Sequence, residues 1–361
     1  MEECINIPQQ QYAEFSKWLH TRVGNRHIPV MGSIELTMRC NLRCQHCYIP
    51  LPERASHAKR ELNRVEVEHI LDEITDAGCL WLLLTGGEPL LRKDFLEIYT
   101  YAKRKGMLVT IFTNGTLVTP RIADHLAEWR PFKIEITLYG ATQQTYERVT
   151  GIPGSYTRCR RGIDLLLDRK LPLSLKTMVM TLNHHELDQM KSLAVGLGVE
   201  FRFDPILQAA IDGSPHPTSF RLTPAEVVQI EKSDPERARL WPHKIHDDLR
   251  VELMDRNLYI CGAGKFSFHI NSCGHLTICV SNRRPAYDLR GGSFREGWET
   301  FIPKVISRQY SDLFPCAGCQ LRSMCLQCPA YGESELRDAE ACVEFLCQLT
   351  KNRYKVFNGS L

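Results

Sequence analysis

The residues best suited to chemistry are cysteines, and their spacing is uneven. Cys40, Cys44 and Cys47 fall within CNLRCQHCY, a C-x3-C-x2-C run closed by Tyr48. Thiolates hold zinc or iron–sulfur clusters. A structural zinc site is closed by four protein ligands, usually from two C-x2-C pairs, yet no further cysteine follows until Cys79. His46 adjoins Cys47, and in so short a loop its side chain points elsewhere. Three thiolates leave one metal position open, and an open position is where a small molecule coordinates and reacts.

A second group is spread along the C-terminal third. It reads Cys261-x12-Gly274-x4-Cys279, then Cys316-x2-Cys319-x5-Cys325-x2-Cys328, then Cys342, with Cys273 and Cys347 beside them. The total of fifteen cysteines is odd, which suits metal binding better than a disulfide framework. Five residues between the two C-x2-C pairs are too few for the usual zinc ribbon. Cys4, Cys79 and Cys159 stand alone and read as small hydrophobes.

Other short motifs carry polar groups near the first cluster. TGGEPLL (85–91) places Gly86 and Gly87 where a backbone must approach something closely, and Glu88 offers a carboxylate to an ammonium group. Thr113-Asn114-Gly115 is a turn signal.

The elements that position these motifs follow a rhythm. Apolar runs at 33–38, 80–85, 107–113, 132–139, 171–181 and 199–207 read as strands. Helical periodicity fills the gaps, as in VEVEHILDEITDAG (65–78), which stops at Gly78. Six alternations predict a parallel sheet, either an open doubly wound sheet or part of a (β/α) barrel, with function past the C-terminal strand ends. The cysteine run, Gly-Gly-Glu-Pro and Thr-Asn-Gly all fall there. Residues 212–257 are polar and hold five prolines, the mark of an irregular helical linker. Residues 258–347 show little periodicity and predict a module organised by metal rather than by a hydrophobic core.

Bulk properties narrow the function classes. The 361 residues carry a net charge of +3, which gives no argument for nucleic acid or a membrane surface. No apolar run is long enough to span a bilayer, and the N-terminus lacks a signal-peptide pattern, so the cytoplasm is the expected compartment.

The cysteine run with Tyr48, followed one unit later by GGEP, resembles the signature of the radical S-adenosylmethionine (radical SAM) enzymes. In that family three cysteines hold a [4Fe-4S] cluster whose fourth iron is chelated by SAM. Reductive cleavage then yields a 5′-deoxyadenosyl radical. The resemblance implies an α/β fold, a partial (β/α)6 TIM barrel over 33–207. By the same resemblance Gly86, Gly87 and Glu88 hold the SAM amino group, and Asn114 lies in the next family turn. Thr137, in IEITLYG, faces SAM, and Arg148 reaches its carboxylate.

The later cysteines resemble the SPASM domain of peptide-modifying radical SAM enzymes, here 258–347, which binds two auxiliary [4Fe-4S] clusters. The family pattern assigns Cys261, Cys279 and Cys328 to the first cluster, and Cys316, Cys319, Cys325 and Cys342 to the second. Cys325-x2-Cys328 departs from the family's C-x3-C. The first cluster then lacks a fourth ligand, for which Cys273, Cys347, Asp255 or an open iron are the candidates. Residues 1–32 are an N-terminal extension, 208–257 a bridge and 348–361 a tail.

The function so implied is maturation of a ribosomally synthesised precursor peptide by cross-linking, backbone excision or a related oxidation. About thirty residues precede the first strand, too few for a winged-helix leader-binding domain, so a separate leader-binding partner protein is expected. A flavodoxin or ferredoxin would be the reductant. An anaerobic sulfatase maturase ranks lower, because Val280 and Ser281 stand where such relatives carry an aspartate. Modification of a porphyrin or quinone precursor is another reading, and a non-catalytic iron–sulfur electron carrier is one of a different class.

Overall fold

The computed structural model describes residues 11–23, 26–50, 59–249, 256–325 and 327–358. After α1 (Tyr12–Val23), strands and helices alternate: β1 (Met31–Thr37), α2 (Arg64–Asp76), β2 (Trp81–Gly86), α3 (Phe95–Arg104) and β3 (Leu108–Thr113). Then come α4 (Pro120–Glu128), β4 (Lys133–Thr137), α5 (Gln143–Thr150), α6 (Ser155–Leu167), β5 (Leu173–Met178), α7 (Leu187–Gly196) and β6 (Glu200–Asp204). These strands lie in the order β6-β5-β4-β3-β2-β1, each parallel to its neighbour. The order never reverses, so there is no switch point of the kind a doubly wound sheet requires. Successive strands instead advance in one direction, as in a partial barrel.

Local chemistry explains the elements. Asn63 and Glu66 form a reciprocal capping box that starts α2. Alternation along the strands sends Ile34 and Leu36 of β1 and Leu82 and Leu84 of β2 into one buried cluster with Ile70, Leu71 and Ile74 of α2. Each such side chain contributes roughly 1.5–3 kcal/mol on burial. The other face of the same strands is polar: Glu35 and Thr37 of β1, Glu135 and Thr137 of β4, and Lys176 of β5 share it by the period-two rule. On β2 that face is apolar but only half-buried at Leu83, with Thr85 beside it.

The C-terminal third is less separate than its sequence suggests. β7 (Ser267–Ile270) pairs parallel with β1, and β8 (His275–Thr277) and β9 (Tyr287–Asp288) extend the same sheet antiparallel to nine strands. Phe268, Ile270, Leu276, Phe294 and Trp298 join the cluster that holds the barrel core. The expected core-free module is thus corrected for this stretch: β7 covers the otherwise open edge of β1, which removes unpaired backbone groups. The bridge is also more regular than expected, with α8 (Pro224–Ser233) and α9 (Pro235–Leu249). Two later helices, α10 (Pro329–Leu336) and α11 (Glu344–Phe357), follow. Arg353 of α11 makes bonds of 2.7 and 2.9 Å to Glu231 of α8, and both side chains are buried.

Candidate active site and cysteine clusters

The cysteine run leaves β1 as a tight loop. Cys47 N donates to Cys44 O at 3.1 Å, while Arg43 N and Gln45 N donate to Thr150 O and Val149 O at 2.9 Å each. The end of α5 therefore fixes the loop through its otherwise unpaired carbonyls. All three cysteines are half-buried. The hydroxyl of Tyr139, just past β4, hydrogen-bonds Cys44, and burial pushes its pKa up. His46 is buried with its ring edge against Tyr139, and burial holds it neutral with a pKa of about 4.

The glycines of TGGEPLL do approach something closely: the chain itself. A Cβ on Gly86 would lie 2.2 Å from Thr37 O, and one on Gly87 2.3 Å from Arg39 O. Gly87 N and Glu88 N donate to those two carbonyls at 2.7 and 2.8 Å. The motif thus clamps the residues leading into Cys40. Glu88 turns inward. Its carboxylate has no exposed surface and accepts from Leu90 N, Thr113 Oγ1 and Asn114 N at 3.0, 2.8 and 2.7 Å. It joins the β2 and β3 loops. Burial raises its pKa to about 7, against the pull of those three donors.

Asn114 completes the frame. Its amide donates to Asn41 Oδ1 at 2.9 Å and contacts Cys40 Sγ at 3.9 Å, and Thr116 bridges Asn41 and Asn114. Thr137 ends β4 half-buried, in register with Lys176 of β5. Arg148 is exposed on the last turn of α5. Arg160 of α6 was not anticipated: its Nη1 is buried without a hydrogen-bond partner.

Two charge clusters line the polar face. Glu135 takes Arg202 of β6 at 2.5 Å and Lys176 at 3.4 Å, and the Lys176 ammonium lies over the Phe112 ring. Burial lowers the Lys176 pKa to about 7, with Glu135 opposing. On the other side Glu35 of β1 is fully buried and accepts both Arg283 nitrogens, at 2.7 and 2.8 Å. Tyr48 donates to Glu35 at 3.2 Å, and His269 of β7 stands 3.7 Å away. Although burial opposes it, Arg283 and His269 together hold the Glu35 pKa far below the carboxylate range. Glu35 had a sequence signal, a charged residue alternating with Ser33 and Thr37. Arg283 had none. Through Glu35 of β1, Tyr48 after Cys47 is linked to Arg283 in the loop after Cys279.

The later cysteines gather into two sets. Cys261, Cys279 and Cys328 lie within electrostatic reach of one another, near Tyr259. Cys316, Cys319, Cys325, Cys342 and Cys347 line one cavity. Two candidates for the missing ligand of the first set are corrected. Cys347 sits in the second set, and Cys273 is buried among Arg60, Ser272 and Arg290. Asp255 lies outside the described residues, as does Cys4. Cys79 and Cys159 are buried, as isolated small hydrophobes should be. Among the described residues no three Cys, His, Asp or Glu side chains converge as a single ion requires. Thiolates around a multi-iron cluster each take a different iron and need not converge.

Residues 34–194 match the Radical SAM superfamily. The chain carries a radical SAM domain. It is 36% identical over 176 residues to an AdoMet-dependent heme synthase of Methanosarcina barkeri, covering 49% of this chain and 50% of that protein. It is 31% identical over 173 residues to a PqqA peptide cyclase of Rhizobium meliloti, covering 48% and 46%. It is 28% identical over 301 residues to the mycofactocin maturase of Mycolicibacterium smegmatis, covering 81% and 75%. The radical SAM chain thus spans about half the length of the first two relatives. Its fold matches Streptococcus suis SuiB bound to precursor peptide SuiA with a TM-score of 0.69 at 16% identity, over 97% and 84% of the chains.

The family implies a [4Fe-4S] cluster and SAM. The half-buried thiols of Cys40, Cys44 and Cys47, on one loop clamped by Gly86 and Gly87, fit the cluster. Among the described residues no helix is long and apolar enough to cross a membrane.

Proposed function

We propose that this radical SAM chain cleaves SAM reductively and uses the radical to modify a ribosomally made precursor peptide. The observation that carries it is the pairing of a three-thiol loop at the barrel mouth with two further thiol sets in the C-terminal third. Cys40, Cys44 and Cys47 would hold the cluster, which would supply the electron for SAM cleavage. Thr137 and the unpaired Arg160 nitrogen are the groups we assign to holding SAM. Clusters on the two C-terminal sets would accept the electron left by oxidation of the substrate.

The peptide reading is supported by the maturase match, which runs over 81% of the chain and so past the barrel. The peptide cyclase match agrees with it. The heme synthase match covers only about half of the chain and favours a porphyrin as the second reading. A leader-binding partner and a one-electron reductant such as flavodoxin or ferredoxin belong to the peptide reading.

Anaerobic reconstitution tests it. Three cubanes correspond to about twelve irons per chain, and reduced enzyme should turn SAM into 5′-deoxyadenosine. Co-expression with a neighbouring precursor gene and a leader-binding protein should then change the peptide mass. Deoxyadenosine formation coupled to a porphyrin, with the peptide mass unchanged, selects the second reading. Zinc without iron overturns both.

A further inference from the structure

A cubane takes four thiolates, and the second C-terminal cavity presents five thiols. Four of them are the set the family pattern selects. The fifth, Cys347, is not peripheral: the Cys342 thiol is in hydrogen-bond contact with Cys316 on one side and with Cys347 on the other. We propose that Cys347 is a ligand of the second auxiliary cluster, interchangeable with Cys342 on one iron. This rests on the reading that the cavity holds a cluster at all.

The surroundings of the two sulfurs differ in a way that makes exchange feasible. Cys347 lies in the first turn of α11, where its N–H donates to Val343 O at 3.1 Å. The ammonium of Lys351, one turn further, hydrogen-bonds the Cys347 sulfur and lines the same cavity. Cys342 instead lies between α10 and α11, and its sulfur contacts other thiols. The Arg353–Glu231 pair anchors α11 against α8, so Cys347 offers a rigid attachment and Cys342 one on a connecting segment. In the exchange the Fe–S bond to Cys342 breaks and one to Cys347 forms. The proton leaving the Cys347 thiol is taken by the Cys342 sulfur, and no electron moves.

The test uses the full chain, reconstituted anaerobically, with iron content and low-temperature EPR of the reduced clusters as readouts. C342A should keep its full complement of iron, with an altered EPR signal for one cluster. C342A/C347A should lose about a third of the iron, one cubane in three. Loss of a third of the iron in C342A alone overturns the proposal, and so does full retention in the double variant. C316A/C319A reports on the underlying reading separately, since it must lose that third whatever Cys347 does. In reconstituted C342A, alkylation of Cys347 read by peptide mass spectrometry should fall below that in wild type. Unchanged alkylation counts against the proposal even where melting shows the variant less stable.

Discussion

The barrel loop and the C-terminal third both assemble cysteines, but by opposite means. Cys40, Cys44 and Cys47 come from eight consecutive residues, and neighbouring backbone holds them: Gly87 N and Glu88 N donate to Thr37 O and Arg39 O, and Gln45 N and Arg43 N of the loop donate to Val149 O and Thr150 O. The C-terminal sets draw on residues as far apart as Cys261 and Cys328, interleaved in sequence and sorted only by the fold. Local assembly gives a site with a defined vacancy. Remote assembly gathers, among the described residues, one set of three thiols and another of five.

The sharpest break in the comparison is catalytic. Replacing Cys40, Cys44 and Cys47 together by alanine should reduce deoxyadenosine formation to background and remove about a third of the iron. C316A/C319A should remove a similar share of iron yet leave SAM cleavage measurable. Equal loss of cleavage in both would erase the distinction between the regions.

Next in size is the joint between them. Arg283→Met leaves Glu35 buried with an uncompensated charge, a loss of about 3–5 kcal/mol in denaturant unfolding. In wild type the lowered Glu35 pKa contributes stability above its unfolded value of 4.5, and that is lost as pH falls below it. Arg283→Met should abolish that acid-side loss.

Glu88 predicts the opposite slope. Its folded pKa is raised from 4.5 to about 7, so the folded chain binds the extra proton between those values. Stability should fall with rising pH across that window, by roughly 3 kcal/mol at most. Glu88→Gln should flatten this part of the profile, which urea midpoints between pH 4.5 and 7 would show. The smallest effect belongs to a purely local feature. Asn63→Ala removes one half of the α2 capping box and should cost about 1 kcal/mol, with iron content unchanged.

Much of the barrel was legible because its signals are short in range. The strand–helix rhythm, the three-thiol loop and the placement of GGEP and Thr-Asn-Gly after strands two and three all follow from period and spacing. A motif names a residue type without saying which partners claim it, and three donors within the protein reach the Glu88 carboxylate. Sequence also cannot tell a solvated helix charge from one turned inward. Arg148 is exposed, whereas Arg160 Nη1, which the sequence reading did not single out, is buried.

The sequence by itself determined which thiols exist, that three of them share one loop, and that parallel strands precede the loops that hold them. Those are matters of period and of contacts within a few residues. Only the tertiary structure decided that β7 pairs with β1, that Arg283 reaches Glu35 across 248 positions, and that Cys347 joins Cys316, Cys319, Cys325 and Cys342. Such pairings are set by which surfaces the packed sheet and helices leave facing each other, and no local pattern of residues encodes them.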